Sequence, residues 1–96
     1  MTTITINNQE LEFSFKFKQV RQLVNKVGKD IEQFEEIVKD LNNVIPIGAI
    51  GTGKTEEEIE ELIDADGTFN AVKQILEAFT NEVVIFFSPN SQSQAN

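Results

Sequence analysis

The residues with the clearest chemical potential are Gly48-Ala-Ile-Gly-Thr-Gly-Lys-Thr55, which match the phosphate-binding pattern G-x-x-x-x-G-K-[ST]. In a working P-loop, backbone amides surround the phosphates, the lysine reaches the terminal phosphates, and the final hydroxyl binds Mg²⁺. The context also fits, because an apolar run at 44–47 precedes the glycines and a helix signal at 55–58 follows them. Taken alone, this string predicts a nucleotide-binding protein.

Three features argue against that function. Glu56, Glu57 and Glu58 would lie in the first turn of the following helix, where bound phosphates need positive potential. No apolar strand ending in aspartate is available to hold Mg²⁺. A chain of 96 residues is also too short for the parallel sheet and crossover helices of the P-loop fold. We therefore interpret residues 44–54 as a flexible connector and hinge candidate, and Thr55 as a helix cap.

Other kinds of chemistry have less support in the sequence. Asp64-Ala-Asp-Gly67 resembles the middle of a calcium-binding EF-hand loop, but that register puts Leu62 and Lys73 at positions that require acidic ligands. Cysteine and histidine are absent, which removes thiolate ligands and the usual general base near neutral pH. We predict no metal, no cofactor and no catalytic residues.

The charge of the chain is concentrated in its second half. Seven basic and seven acidic side chains balance over residues 1–54, whereas one basic and nine acidic side chains give residues 55–96 the whole net charge of −8. An acidic surface of this kind repels nucleic acid and anionic membranes but does not repel a basic protein partner. The N-terminus shows no signal-peptide pattern and no apolar run is long enough to span a bilayer, so we expect a cytoplasmic protein.

The N-terminal residues predict a β-hairpin. Residues 3–6 alternate in polarity, Asn7-Asn8 is typical of a turn, and a second alternation follows. Its apolar positions are Leu11, Phe13, Phe15 and Phe17. Because an isolated hairpin is marginally stable, this aromatic face must pack on helices as part of the core. The predicted fold class is α+β, with the hairpin packed on a mostly helical small domain.

The rest of the chain has helical periodicity. Val20, Leu23, Val24 and Val27 predict a first helix that Gly28 ends. The residues in and beside this helix form the basic part of the chain. The exposed side of the helix is either a solvated face or a docking surface for an acidic segment, such as the C-terminal half of a second copy. The basic residues are Lys16, Lys18, Arg21, Lys26 and Lys29.

Three further helices are predicted. Asp30 begins the second, whose apolar stripe is Ile31, Phe34, Ile37, Val38 and Leu41. A capping box between Thr55 and Glu58 begins the third, which ends at Asp66-Gly67. Thr68 begins the last helix, with apolar residues at 3–4 spacing: Phe69, Val72, Leu76, Phe79 and Val83.

Five consecutive apolar residues stand at the end of the last predicted helix: Val83, Val84, Ile85, Phe86 and Phe87. Because they show no amphipathic helical pattern, we expect either a buried strand or an exposed apolar segment that adheres to other proteins. We take these five residues as the candidate partner-binding residues. We predict one domain over residues 1–88 and a disordered polar tail over residues 89–96.

The order of these elements resembles the small tail assembly chaperones of long-tailed bacteriophages. The likeness rests on Ile4-Thr-Ile-Asn-Asn-Gln-Glu-Leu-Glu-Phe13 and Val20–Gly28, and on Thr55–Asp64 followed by the amphipathic segment 69–79. The resemblance implies a non-enzymatic protein of the host cytoplasm, absent from the mature virion. Such a chaperone coats the tape measure protein until tail tube subunits replace it.

Two other functions remain open from the sequence. The chain is alternatively a small structural or adaptor subunit that forms homo-oligomers through residues 83–87. The third possibility is a minimal nucleotide-binding protein built on Lys54 and Thr55.

Overall fold

The fold begins with an antiparallel hairpin, in a computed structural model that describes residues 2–67 and 69–87. Strand β1 (Thr2–Ile6) pairs with strand β2 (Gln9–Phe13), and Ile4 lies opposite Leu11. Asn7 and Asn8 form the turn with φ angles of 52° and 65°, the left-handed conformation that suits a tight hairpin and that asparagine tolerates. The predicted hairpin and its turn are confirmed.

Helices make up most of the remaining described chain, and the hairpin packs on them. β1 lies against the last helix and β2 against the third. The predicted fold class, an α+β domain with an N-terminal hairpin on a mostly helical body, is therefore confirmed. Two short 3-10 turns, at Ile31–Gln33 and Leu41–Asn43, precede the second and third helices. The α-helices are α1 (Phe17–Val27), α2 (Phe34–Lys39), α3 (Val44–Thr52), α4 (Glu56–Asp66) and α5 (Asn70–Phe87).

Helix α3 lies at the centre of the domain and packs against α1, α4, α5 and β2. Our interpretation of residues 44–54 as a flexible connector was wrong. Pro46 is the third residue of α3, where its missing N–H costs nothing because the first-turn amides have no partner within the helix. Every residue of α3 is buried or half-buried, so the helix needs no polar face and its sequence shows no amphipathic period.

Small residues let the neighbours of α3 approach closely. A Cβ atom added at Gly51 would lie 2.3 Å from Cε2 of Phe13, which is too close for two non-bonded carbon atoms. The carbonyl of Gly51 also accepts a hydrogen bond of 2.9 Å from the amide of Ser14, directly after β2. The glycines that resemble a phosphate-binding loop therefore serve the packing of the hairpin on α3.

Aromatic rings join the hairpin to the helices. The centroid of Phe15 lies 5.7 Å from that of Phe13 and 4.9 Å from that of Phe79, which it meets edge to face. Phe34 stacks on Phe79 with a centroid distance of 5.4 Å. The predicted aromatic core is confirmed for Phe13 and Phe15. It is wrong for Phe17, which is 66% exposed: α1 begins at this residue, so the alternation of the hairpin no longer sets the side-chain direction.

The two predicted helix ends at glycine are confirmed. Gly28 and Gly67 end α1 and α4 with φ angles of 75° and 72°. The predicted second helix is interrupted, because the short α2 lies between the two 3-10 turns. Thr68, the predicted cap of the last helix, and the predicted tail at 89–96 lie outside the described residues.

Glu82 of α5 is the one buried carboxylate among the described residues. Its two oxygens accept hydrogen bonds from Oγ1 of Thr2, at 2.8 Å, and from the amide of Phe15, at 3.2 Å. Burial alone raises the pKa of Glu82, but these hydrogen bonds contribute to a net shift below its ordinary value of 4.5. The ionised carboxylate therefore joins both ends of the hairpin to α5.

We predict that Glu82→Gln lowers the free energy of unfolding at pH 7 by about 1–3 kcal/mol, because a charged acceptor of one buried and one partly buried hydrogen bond is lost. Since the pKa of Glu82 is lower in the folded chain, its contribution is complete well above pH 4.5 and declines as the pH falls through the folded pKa. Urea unfolding at a series of pH values measures this. The variant should lose less stability on acidification than the wild type. An equal cost for Glu77→Gln, at an exposed position of α5, would contradict the role of Glu82.

Candidate functional site

The P-loop-like residues do not form a phosphate-binding loop. Gly48 to Thr52 belong to α3, and the helix ends with the amide of Gly53 donating a 2.9 Å hydrogen bond to the carbonyl of Ala49. A P-loop needs unpaired amides that point at the phosphates, whereas these amides lie inside a buried helix. The geometry gives no support to nucleotide binding here.

Thr55 caps α4, as the sequence predicts. Its Oγ1 accepts a 3.1 Å hydrogen bond from the amide of Glu58, and the Glu58 carboxylate accepts a 2.9 Å bond from the amide of Thr55. The backbone hydrogen bond from Thr55 is the main cause that lowers the pKa of Glu58, and the charge of Lys54 acts in the same direction. At the start of α4, the Thr55 hydroxyl thus accepts from the Glu58 amide and the Glu58 carboxylate accepts from the Thr55 amide.

The apolar run at 83–87 continues α5, so the strand that we considered is wrong. Val83 is fully buried and belongs to the core, which removes it from the candidate partner-binding surface. Val84 is 44% exposed and remains a candidate. The side chains of Ile85, Phe86 and Phe87 lie outside the described residues, and their role in binding stays a prediction.

The most exposed large apolar side chain among the described residues is Phe69, at 75%. The sequence places it on the apolar stripe of the last helix, but α5 begins one residue later, and of that stripe only Phe79 and Val83 are fully buried. The buried face of α5 is centred on Ile75 and Phe79. This leaves Val72 and Leu76 half-buried at the edge of the core, next to Phe69.

An open groove runs along this exposed side of α5. It has a volume of about 770 Å³, and Val38 of α2 forms its other wall. A smaller depression of about 220 Å³ adjoins it between α3 and α4, and Phe69 and Val72 line both. We call the combined surface the Phe69 groove; its apolar residues are Val38, Leu41, Val44, Ile45, Ile63, Phe69, Val72 and Leu76.

Acidic side chains border the Phe69 groove. Glu60 and Asp64 of α4 line the smaller depression, and Glu77 lines the larger one. Lys73 also lines the larger depression, so these four charged residues sum to −2. An apolar surface with such a border is the kind of feature that marks an interaction site on a small protein.

A basic surface lies on α1. Lys26 and Lys29 form ion pairs with Glu56, at 3.1 Å, and with Glu36, at 3.5 Å. Farther towards the N-terminus of α1, the side chains of Lys18 and Arg21 are exposed. The two basic residues at the C-terminal end of α1, Lys26 and Lys29, therefore bind acidic groups of the same chain.

Comparisons with protein-family models, characterised proteins and solved structures gave no match to the chain. The described residues include no cluster of acidic side chains arranged to hold a metal ion. None of their helices is long and apolar enough to cross a membrane. The Phe69 groove is thus the strongest candidate site among the described residues, and it was not predicted from the sequence. The available signal was Phe69 itself, a large apolar residue directly after a helix-ending glycine and its Thr68 neighbour.

Proposed function

We propose that the chain is a non-enzymatic tail assembly chaperone of a long-tailed bacteriophage. In this proposal it binds the phage tape measure protein in the host cytoplasm and keeps it from aggregating until tail tube subunits replace the chaperone. It leaves before the virion is complete. The observation that carries the proposal is the exposed Phe69 groove on a small domain of the predicted hairpin-and-helix order.

The shape of the groove supports a protein client. Val72, Leu76 and Thr80 recur every four residues along α5, so they form a continuous ridge beside the groove. An amphipathic helix binds such a surface by placing apolar residues of one face in the groove. A tape measure protein is long and prone to aggregation, so it offers many segments of this kind to successive chaperone molecules.

The charge distribution supports the same role. Residues 55–96 carry the whole net charge of −8, and the groove lies largely on this acidic half. A client segment covered by such a chaperone acquires a negatively charged outer surface. Repulsion between like-charged complexes then opposes aggregation.

Co-expression with the tape measure protein of the same gene cluster tests the proposal. We expect the wild-type chain to raise the soluble fraction of that protein and to elute with it. Phe69→Asp should abolish both effects by placing a charge in the groove, whereas Phe69→Leu, which keeps the site apolar, should preserve them. Circular dichroism should show that both variants remain folded. A tape measure protein that stays insoluble and uncomplexed with the wild-type chain would refute the function.

A further inference from the structure

A second surface of the chain has an exposed apolar centre with a basic border. Phe17, in the first turn of α1, is 66% exposed. Arg21 lies one helical turn farther on, and Lys18 is three residues before Arg21, so the three side chains share a face of α1. Lys16, directly before α1, is also exposed. We call Lys16, Phe17, Lys18 and Arg21 the Phe17 patch.

The Phe69 groove has the complementary chemistry. Its apolar centre is also a largely exposed phenylalanine, and its charged border is net acidic through Glu60, Asp64 and Glu77. A basic border facing an acidic one steers encounter and fixes orientation, and the contact of apolar centres removes exposed surface from water. Phe17 is exposed in the folded chain, so it does not occupy the groove of its own chain.

From this pairing we infer that the Phe17 patch of one copy docks in the Phe69 groove of a second copy. The two surfaces differ, so the contact is head-to-tail, and each bound pair of copies leaves one patch and one groove free. Successive copies therefore form chains whose length depends on protein concentration. This self-association needs no client. Because it uses the groove assigned to the client under the proposed function, a bound client competes with it.

The first test is the mass of the purified wild-type chain, measured by light scattering over a range of concentrations. We expect a mass close to 10.8 kDa at high dilution and a rising mean mass as concentration increases. Raising the salt concentration from about 0.1 M to about 1 M shortens the screening length from about 10 Å to about 3 Å and should reduce that mass. A monomer at every concentration would overturn the inference.

Complementation between two variants tests the head-to-tail geometry. Phe17→Asp destroys the patch and keeps the groove, whereas Phe69→Asp destroys the groove and keeps the patch. Each variant alone should be monomeric, and an equimolar mixture should reach twice the monomer mass and stop there, because only one intact interface can form. A mixture that remains monomeric, or single variants that associate as the wild type does, would contradict the docking.

Charge-reversed variants repeat the experiment with both phenylalanines kept in place. Lys18→Glu with Arg21→Glu should abolish self-association, as should Glu60→Lys with Asp64→Lys, and mixing the two proteins should restore it. The same reversal from acid to base at Glu10 and Glu12, on the exposed side of β2, is the control and should leave association intact. These measurements contain no tape measure protein, so their outcome is independent of the co-expression test of the proposed function.

Discussion

Gly51→Ala should lower the free energy of unfolding by about 3 kcal/mol, the upper part of the usual range for overpacking a core. The new methyl group would lie 2.3 Å from Cε2 and 2.5 Å from Cζ of Phe13, whose fully buried ring would have to shift within the core. The carbonyl of Gly51 also holds the amide of Ser14, so α3 and β2 cannot separate without losing that hydrogen bond.

Gly48→Ala in the same helix is the matched control. A Cβ atom there would lie 3.1 Å from Cγ2 of Ile59 and 3.2 Å from Cδ1 of Ile75, tight contacts that a shift of a few tenths of an ångström by these side chains relieves. Both substitutions gain about 0.5–1 kcal/mol from the higher helix propensity of alanine. We therefore expect Gly48→Ala to change stability by less than about 1 kcal/mol. Urea unfolding followed by circular dichroism measures both variants. Equal stabilities would show that Phe13 does not constrain residue 51.

The prediction of the fold from the sequence succeeded where local chemistry decides the structure. Asn7 and Asn8 tolerate the left-handed turn conformation, and Gly28 ends α1 in the same region of backbone space. The capping box at Thr55 requires only residues within one turn of each other. Each of these signals acts over a few residues, so no knowledge of tertiary packing was needed.

The prediction failed for α3 because the helix is defined by what surrounds it. Periodicity identifies a helix that has one solvent-exposed face and one buried face, whereas α3 has no exposed residue. Its glycines and Pro46 then resemble loop residues. Their actual reasons, the close approach of Phe13 and a first-turn position, depend on contacts distant in sequence. The same limit hid the Phe69 groove, since a 3–4 spacing does not show which apolar residues lie at the edge of the core.

Phe79→Ala should have the largest effect on stability, with a loss of about 3–5 kcal/mol. Phe79 is fully buried, meets Phe15 edge to face at 4.9 Å and stacks on Phe34 at 5.4 Å. Its ring therefore links α5 to α2 and to the segment between β2 and α1, where Phe15 lies. Removing it deletes apolar contacts with both and leaves a cavity that neither neighbour can fill without moving.

Phe69→Ala removes the same atoms from a side chain that is 75% exposed, so it should change stability by no more than about 0.5 kcal/mol. Both variants are measured by thermal and urea unfolding at low protein concentration, where self-association does not contribute. A domain of this size is stable by about 5–15 kcal/mol, so Phe79→Ala should leave a protein that unfolds in much less urea. A loss below about 1 kcal/mol for Phe79→Ala, or equal losses for the two variants, would mean that the aromatic cluster does not hold the hairpin, α2 and α5 together.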